Sequence, residues 1–321
     1  MDYVRNISTR RDFHLLAFSN TEDHPYIIFI GLFLMYILAV LGNLLIIVLV
    51  FLVPQLQTPM YFFLCNLAAQ DIISVSAALP KLMDITVTGE TSISFNGCIT
   101  QVFLLISCPS QDFFLLATMA YDRYVAICIP LRYHLMMNPR FCVLLVTSTW
   151  LFCAINAMCY SLFLSDLSFC RLLDINYIIC ETIAMMELSC SDITHIQTLI
   201  AVDVPLMGIL PVGLILASYI YIIYSILKMR TVAARLKTFS SCSSHITVVL
   251  LLGGTCISLY VIPESQNSQE VDKMLCLMYL GFIPLLNPLV YSLRNRQVQS
   301  AAKIILSKYI CVGSFIQKLV M

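Results

Sequence analysis

Predominantly apolar stretches of twenty or more residues occur seven times along the chain, and polar residues gather in the breaks between them. The stretches are Tyr26–Leu52, Met60–Met83, Cys98–Ile127, Phe141–Leu164, Thr198–Lys228, Thr238–Ile262 and Lys273–Leu293. A helix that crosses a bilayer needs about 20 mainly apolar residues. The runs are continuous and do not alternate in ~10-residue segments, which predicts helices and not a barrel. Short loops join them except in two places: the 24-residue polar head before Pro25, and Ser165 to Gln197 between spans four and five. No internal repeat or low-complexity tract is evident.

Composition agrees. Of 321 residues, 60% are hydrophobic and 11% charged, where a soluble domain carries about 25% charged residues. The net charge of zero gives no support for a nucleic-acid partner. The head lacks a basic-then-apolar leader pattern, so the first span is expected to act as its own insertion signal.

Seven spans put the termini on opposite sides, and charge selects which side each occupies. With the C-terminus inside, the cytoplasmic loops and tail hold Arg123, Arg132, Arg140, Lys228, Arg230, Arg235, Lys237, Arg294, Arg296, Lys303, Lys308 and Lys318, which is 12 of the 18 basic residues. Only Asp122 among the acids lies there, and the basic excess belongs inside. Ten of the 14 cysteines then fall in apolar runs or on the reducing side. Cys98, Cys170, Cys180 and Cys190 lie outside, where four cysteines permit three pairings and spacing does not choose among them. The only N-x-S/T acceptor, Asn6-Ile7-Ser8, falls in the outer head and is a glycosylation candidate.

Against this background the pair Asp122-Arg123 at the inner end of span three stands out. One reading is an interface flank with the arginine reaching for headgroups. The other is a switch, in which acid and base neutralise each other until a cavity between helices opens.

The segment Met119-Ala120-Tyr121-Asp122-Arg123-Tyr124-Val125-Ala126-Ile127-Cys128 resembles the signature of olfactory (odorant) receptors, within the rhodopsin-like G-protein-coupled receptors. Further matches follow in order: Gly42-Asn43, the run from Pro59 to Leu64, Asp71, Ser218-Tyr219, the run from Lys237 to His245, and the run from Asn287 to Asn295. Together they extend the resemblance from about Asn6 to Arg296. It implies an all-α membrane protein: a seven-transmembrane helix bundle, N-terminus extracellular and C-terminus cytoplasmic, at the plasma membrane. The expected parts are an extracellular segment 1–25, a receptor domain 26–293 and a cytoplasmic helix and tail 294–321. It also implies the pairings Cys98 with Cys180 and Cys170 with Cys190. The function implied is not enzymatic. A small volatile organic ligand would bind the outer half of the bundle and activate a heterotrimeric stimulatory G protein, raising cyclic AMP. Trafficking chaperones are further expected partners, and the lipid membrane is the solvent.

The resemblance assigns the switch to Asp122, Arg123, Tyr124, Tyr219, His245 and Tyr291. Ionisable residues at membrane depth are functional candidates by default. Asp71 and Asp112, with Asn43 and Asn287, are expected to form one polar cluster. It would hold a sodium ion, share a proton between the carboxyls, or bind only water. No other cofactor or metal is expected, since the five histidines at 14, 24, 134, 195 and 245 are scattered. Ligand candidates are Leu105, Ile106 and Pro109 on span three, Asp203 and Met207 four apart on span five, and Cys256, Ile257 and Tyr260 on span six. Each of these equally suits ordinary helix packing, and Asp203 more readily suits partnership with another polar side chain or water.

Three features depart from the family pattern: Leu252-Gly253-Gly254 in place of Phe-Tyr-Gly, Pro109 within span three, and Pro211 within span five. Rival functions find less support. A transporter would show an inverted repeat or paired broken helices, and an intramembrane enzyme would show H-E-x-x-H or G-x-S-x-G. A receptor of the same architecture serving a non-odorant metabolite in another tissue would carry the same residues.

Overall fold

A computed structural model describes residues 12–17, 25–170, 173–261, 268–294 and 298–302, without the side chains at 237, 240, 241, 257, 259–261, 268, 269 and 292–294. Asn6 and most of the tail beyond 294 lie outside the described residues, as do the side chains of Ile257 and Tyr260.

The seven spans are α1 Pro25–Leu52, α2 Pro59–Thr88, α3 Phe95–Cys128, α4 Pro139–Ser165, α5 Thr194–Leu227, α6 Val232–Val261 and α7, formed by Ser268–Leu277 and Ile283–Arg294 joined through a π-turn, Met278–Phe282. Six of the seven are apolar enough along a full span to cross a membrane; in α6 the apolar part is Cys242–Cys256. Its first turns carry Arg235 and Lys237, as fits a helix that projects into the cytoplasm. Local signals set the ends. Pro59 opens α2, and Gly89, with φ of 72°, closes it by donating its amide to the Ile85 carbonyl. The side chains of Ser94 and Asn138 cap α3 and α4, accepting from the amides of Gly97 and Phe141.

The usual distribution of polarity is inverted, as lipid demands. Leu34, Leu38, Leu41 and Leu45 of α1 face outward, while Gln70, Asp71, Gln111, Asp112 and Asn287 are buried. α3 is the axis and packs on α2, α4, α5 and α6, while α1 closes against α2 and α7. At Gly42 the helices approach so closely that a Cβ would sit 3.1 Å from the Pro288 ring, so a larger residue would push α1 from α7. One apolar core fills the inner half around Phe63, Leu67, Leu115, Leu116 and Met119, and a second fills the outer half around Val75, Leu79, Leu82 and Val102. Asn43, Asp71 and Asp112 lie between them in chain position, a polar layer at mid-membrane depth.

The outer face is capped. The strand β1, Asp12–Leu15, pairs antiparallel with β2, Ser92–Ser94, and parallel with β3, Asp174–Ile175. The head before α1 is therefore not merely a polar segment. Phe13 and Leu15 are fully buried, and the Phe13 ring lies 6.1 Å from Phe95 and 5.2 Å from Phe169. The structure pairs Cys98 with Cys180 and Cys170 with Cys190, tying the long outer loop to the top of α3 and to itself. Gln101 strengthens the first tie by accepting from the Cys180 amide at 2.8 Å and donating to the Ala77 carbonyl.

Two π-turns correct the expectation of regular helices. In α5 the turn is Val204–Ile209, one residue before Pro211; in α7 it is Met278–Phe282. A π-turn closes i→i+5 hydrogen bonds, so residues four apart around it no longer share a face. Pro211 has no amide to donate, which suits it to follow such a turn. Pro109, by contrast, is accommodated without interrupting α3.

Candidate functional site

The inner end of α3 presents the switch candidates together. Asp122 is buried and accepts the Tyr133 hydroxyl at 2.8 Å, while its other oxygen lies 4.0 Å from the Arg123 Nε. Tyr133 belongs to the short helix Tyr133–Met136 after α3. Burial, reinforced by the Asp122 charge, raises the pKa of its hydroxyl, so it remains a proton donor. The acid is thus shared between the adjacent arginine and the second inner loop, a partnership the sequence reading missed. The Arg123 charge acts on Tyr219, Cys242, His245 and Tyr291, which places α5, α6 and α7 around it. The Tyr124 ring lies 5.8 Å from Tyr221 of α5.

His245 is fully buried and bridges three helices. Its Nε2 lies 3.1 Å from the Leu116 carbonyl of α3, which can only accept, so Nε2 carries the proton. Nδ1 then accepts from the Tyr219 hydroxyl of α5 at 2.5 Å, and the two rings stack at 5.7 Å. The Tyr291 hydroxyl is buried with no hydrogen-bond partner among the described residues. Such a group costs about 1–3 kcal/mol, an expense that any rearrangement giving it a partner would remove.

In the polar layer, Asn287 donates to both Asp71 oxygens, at 3.2 and 3.0 Å. Asp112 is 6% exposed and interacts electrostatically with Asp71. The expected four-residue cluster needs one correction. The Asn43 amide donates to the carbonyls of Ala39 and Pro284, not to a carboxylate, because α1 meets the backbone of α7 at this level. Buried oxygens of Asn43, Asp112 and Asn287 remain without hydrogen-bond partners among the described residues. These are hard oxygen acceptors around two carboxyls and fit a small cation such as sodium. No group of three or more His, Cys, Asp or Glu side chains gathers as a metal site among the described residues.

Above this layer lie the ligand candidates. Leu105 and Ile106 pack at the edge of the outer core, Pro109 is half-buried one turn below, and Asp112 follows at the floor. Cys108, Cys153 and Cys256 lie within electrostatic reach of Asp112. At half-buried Gly253 no atom from beyond its own turn of helix lies within 4 Å of where a Cβ would be, so the missing aromatic leaves open space beside the buried Leu252, while Gly254 is exposed. Asp203 and Met207 do not act as one face. Asp203 accepts the Asn156 amide of α4 at 2.8 Å, while Met207 is buried inside the π-turn that packs on α3. The π-turn between them breaks the four-residue periodicity. Asn156 itself is a mid-span polar residue that the apolar run around it makes conspicuous.

Seven membrane-crossing helices, an acid–arginine pair at the inner end of the third and an outer disulfide from its top define a seven-helix receptor of the G-protein-coupled class. Comparison narrows this. The olfactory receptor family profile matches residues 32–309. Olfactory receptor 1 of Rattus norvegicus is 41% identical over 305 residues, covering 95% of this chain and 97% of the relative. Olfactory receptor 13F1 of Homo sapiens is 40% identical over 301 residues, covering 94% of each. Olfactory receptor 2T5 of Homo sapiens is 37% identical over 300 residues, covering 94% of this chain and 95% of the relative. The chain belongs to the olfactory receptor family, a family of multi-pass plasma-membrane receptors that are not enzymes.

Proposed function

We propose that the chain binds a small, mostly apolar organic odorant in the outer half of the bundle and activates a stimulatory G protein, raising cyclic AMP. The observation that carries this reading is the His245 latch. It joins α3, α5 and α6 beside Arg123, at the inner end where a G protein would dock. Gly253 lies eight residues outward of His245 on the same helix, about 12 Å along the axis. A ligand filling the open space at Gly253 pushes on the helix that the latch restrains.

The energies match. Each of the two latch bonds contributes about 0.5–1.5 kcal/mol net. A ligand that binds the open state better by about 1–3 kcal/mol shifts the equilibrium about 5–150-fold. Opening α6 exposes Arg123 for the G protein and lets the Tyr291 hydroxyl find a partner. In the closed state, Asp71, Asp112 and the amide oxygens of Asn43 and Asn287 would hold a sodium ion, whose charge would balance two carboxylates in one buried layer. Delivery to the surface relies on trafficking chaperones.

The test is cyclic AMP in cells expressing the chain with a trafficking chaperone, challenged with volatile acids, aldehydes, ketones and amines. A graded response to one chemical class supports the reading. Silence across the panel from receptor shown to be at the surface overturns it for volatile ligands.

A further inference from the structure

We propose that the cleft between α1 and α7 is a binding site for one sterol molecule of the outer leaflet, its hydroxyl donating to Glu270. The cleft has a volume of about 420 Å³ and is walled by Ile28, Gly31 and Met35 of α1 and by Met274, Leu277 and Phe282 of α7. A second concavity of about 350 Å³ continues it along the Glu270 and Met274 face of α7.

Position fixes the general class of occupant. Met274 is 66% exposed and Phe282 is 39% exposed, on helices that cross the membrane, so the mouth opens into lipid. Twelve residues separate Glu270 from Phe282, about 18 Å of helix axis. That is close to one leaflet of a hydrocarbon core about 30 Å thick. The site therefore suits a single lipid running from headgroup depth to mid-bilayer.

Charge at the outer end narrows the head. The Lys273 ammonium is buried and donates to Glu270 Oε1 at 3.2 Å, to Asn176 Oδ1 at 3.0 Å and to the Leu16 carbonyl at 3.4 Å. Its three hydrogens are engaged, and its charge is balanced by Glu270. The Glu270 side chain is 65% exposed, so it still offers acceptor capacity at the mouth. A phosphate or carboxylate head would meet that carboxylate, and a cationic head would compete with Lys273. A neutral hydroxyl donor meets neither cost.

Shape narrows the body. Gly31 is exposed, and no atom lies within 4 Å of its missing Cβ, which leaves a slot between flexible methionine walls. At its lower end α7 is widened by the π-turn Met278–Phe282. A rigid, flat body loses little conformational freedom on entering such a slot, and sterols are abundant in the plasma membrane.

The test uses the full chain in phosphatidylcholine nanodiscs with a photoactivatable cholesterol probe, and adducts are mapped by mass spectrometry. Adducts should concentrate on residues 28–35 and 270–282. Unlabelled cholesterol should suppress them about tenfold, while its 3α-hydroxy epimer and hexadecanol should not. Gly31→Leu, which fills the slot, and Glu270→Leu, which removes the acceptor, should each cut labelling by a similar factor. Labelling spread evenly over the lipid-facing helices would overturn the site. Equal competition by hexadecanol or by the epimer would overturn the sterol. Both competition arms use the native chain, so they stand even if a variant fails to fold.

Discussion

Tyr219→Phe removes one oxygen atom from the latch and nothing else. The ring remains, with its stack on His245 at 5.7 Å. What is lost is the hydroxyl that donates to His245 Nδ1, an acceptor that is buried in the closed state. Leaving a buried acceptor without its donor costs about 1–3 kcal/mol. On the proposed opening, water would enter the inner cavity and satisfy the nitrogen, so the cost would fall on the closed state alone. The ratio of open to closed receptor should rise about 5–150-fold. The assay is ligand-free cyclic AMP, normalised to receptor counted at the surface. Basal signalling should rise at least about fivefold, with agonist curves moving to lower concentration. Unchanged or reduced basal signalling at equal surface density would refute the reasoning, because the hydroxyl would then serve the open state at least as well as the closed one.

Asp203→Asn should cost ligands bearing an amine or hydroxyl donor about tenfold in potency, since hydrogen bonds to charged groups contribute about 1.5–3 kcal/mol, and should spare apolar ligands; identical curves for all agonists would remove Asp203 from the pocket. Replacing choline with sodium in the outer medium should weaken agonists at the native chain and not at Asp112→Asn; equal sodium sensitivity in both would exclude the cation site. At the cap, the Ser92 hydroxyl and amide hold the exposed Glu90 carboxyl below the ordinary carboxylate range. A depressed acid stabilises the fold above its unfolded pKa, and that contribution is lost as pH falls through the folded value. Hydrogen exchange at the Leu15 amide, which bonds the Thr91 carbonyl, should accelerate beyond its intrinsic rate only below that point. Equal protection throughout would show that Glu90 does not hold the strand.

Hydropathy locates six helices as full apolar spans of about 20 residues or more and α6 by its shorter apolar part, Cys242–Cys256, and the loop arginines and lysines assign their sides. What the sequence hides is register. The π-turn after Asp203 adds no polar residue and leaves no compositional trace beyond Pro205 within it and Pro211 after it, so Asp203 and Met207 do not share a face as four-residue spacing predicts. Asn43 was legible as buried but not as a partner to the α7 backbone, since a hydrogen bond across 241 positions has no local signature. The cap was legible and missed: Asp12, Phe13, His14 and Leu15 alternate with period two, the pattern of a half-buried strand. Lys273 opens the seventh apolar stretch of the sequence. Its burial beneath the N-terminal strand emerges only in three dimensions, as does Tyr133 reaching Asp122 from the inner loop.

The most direct test of the switch is the agonist response of Arg123→Ala beside the native chain, with surface receptor counted in the same cells. Arg123 is half-buried at the inner mouth, and the latch lies beside it. Normal delivery with the cyclic AMP response abolished is the predicted result. An undiminished response from a receptor lacking that guanidinium would contradict the account, because opening α6 would then expose nothing the G protein needs.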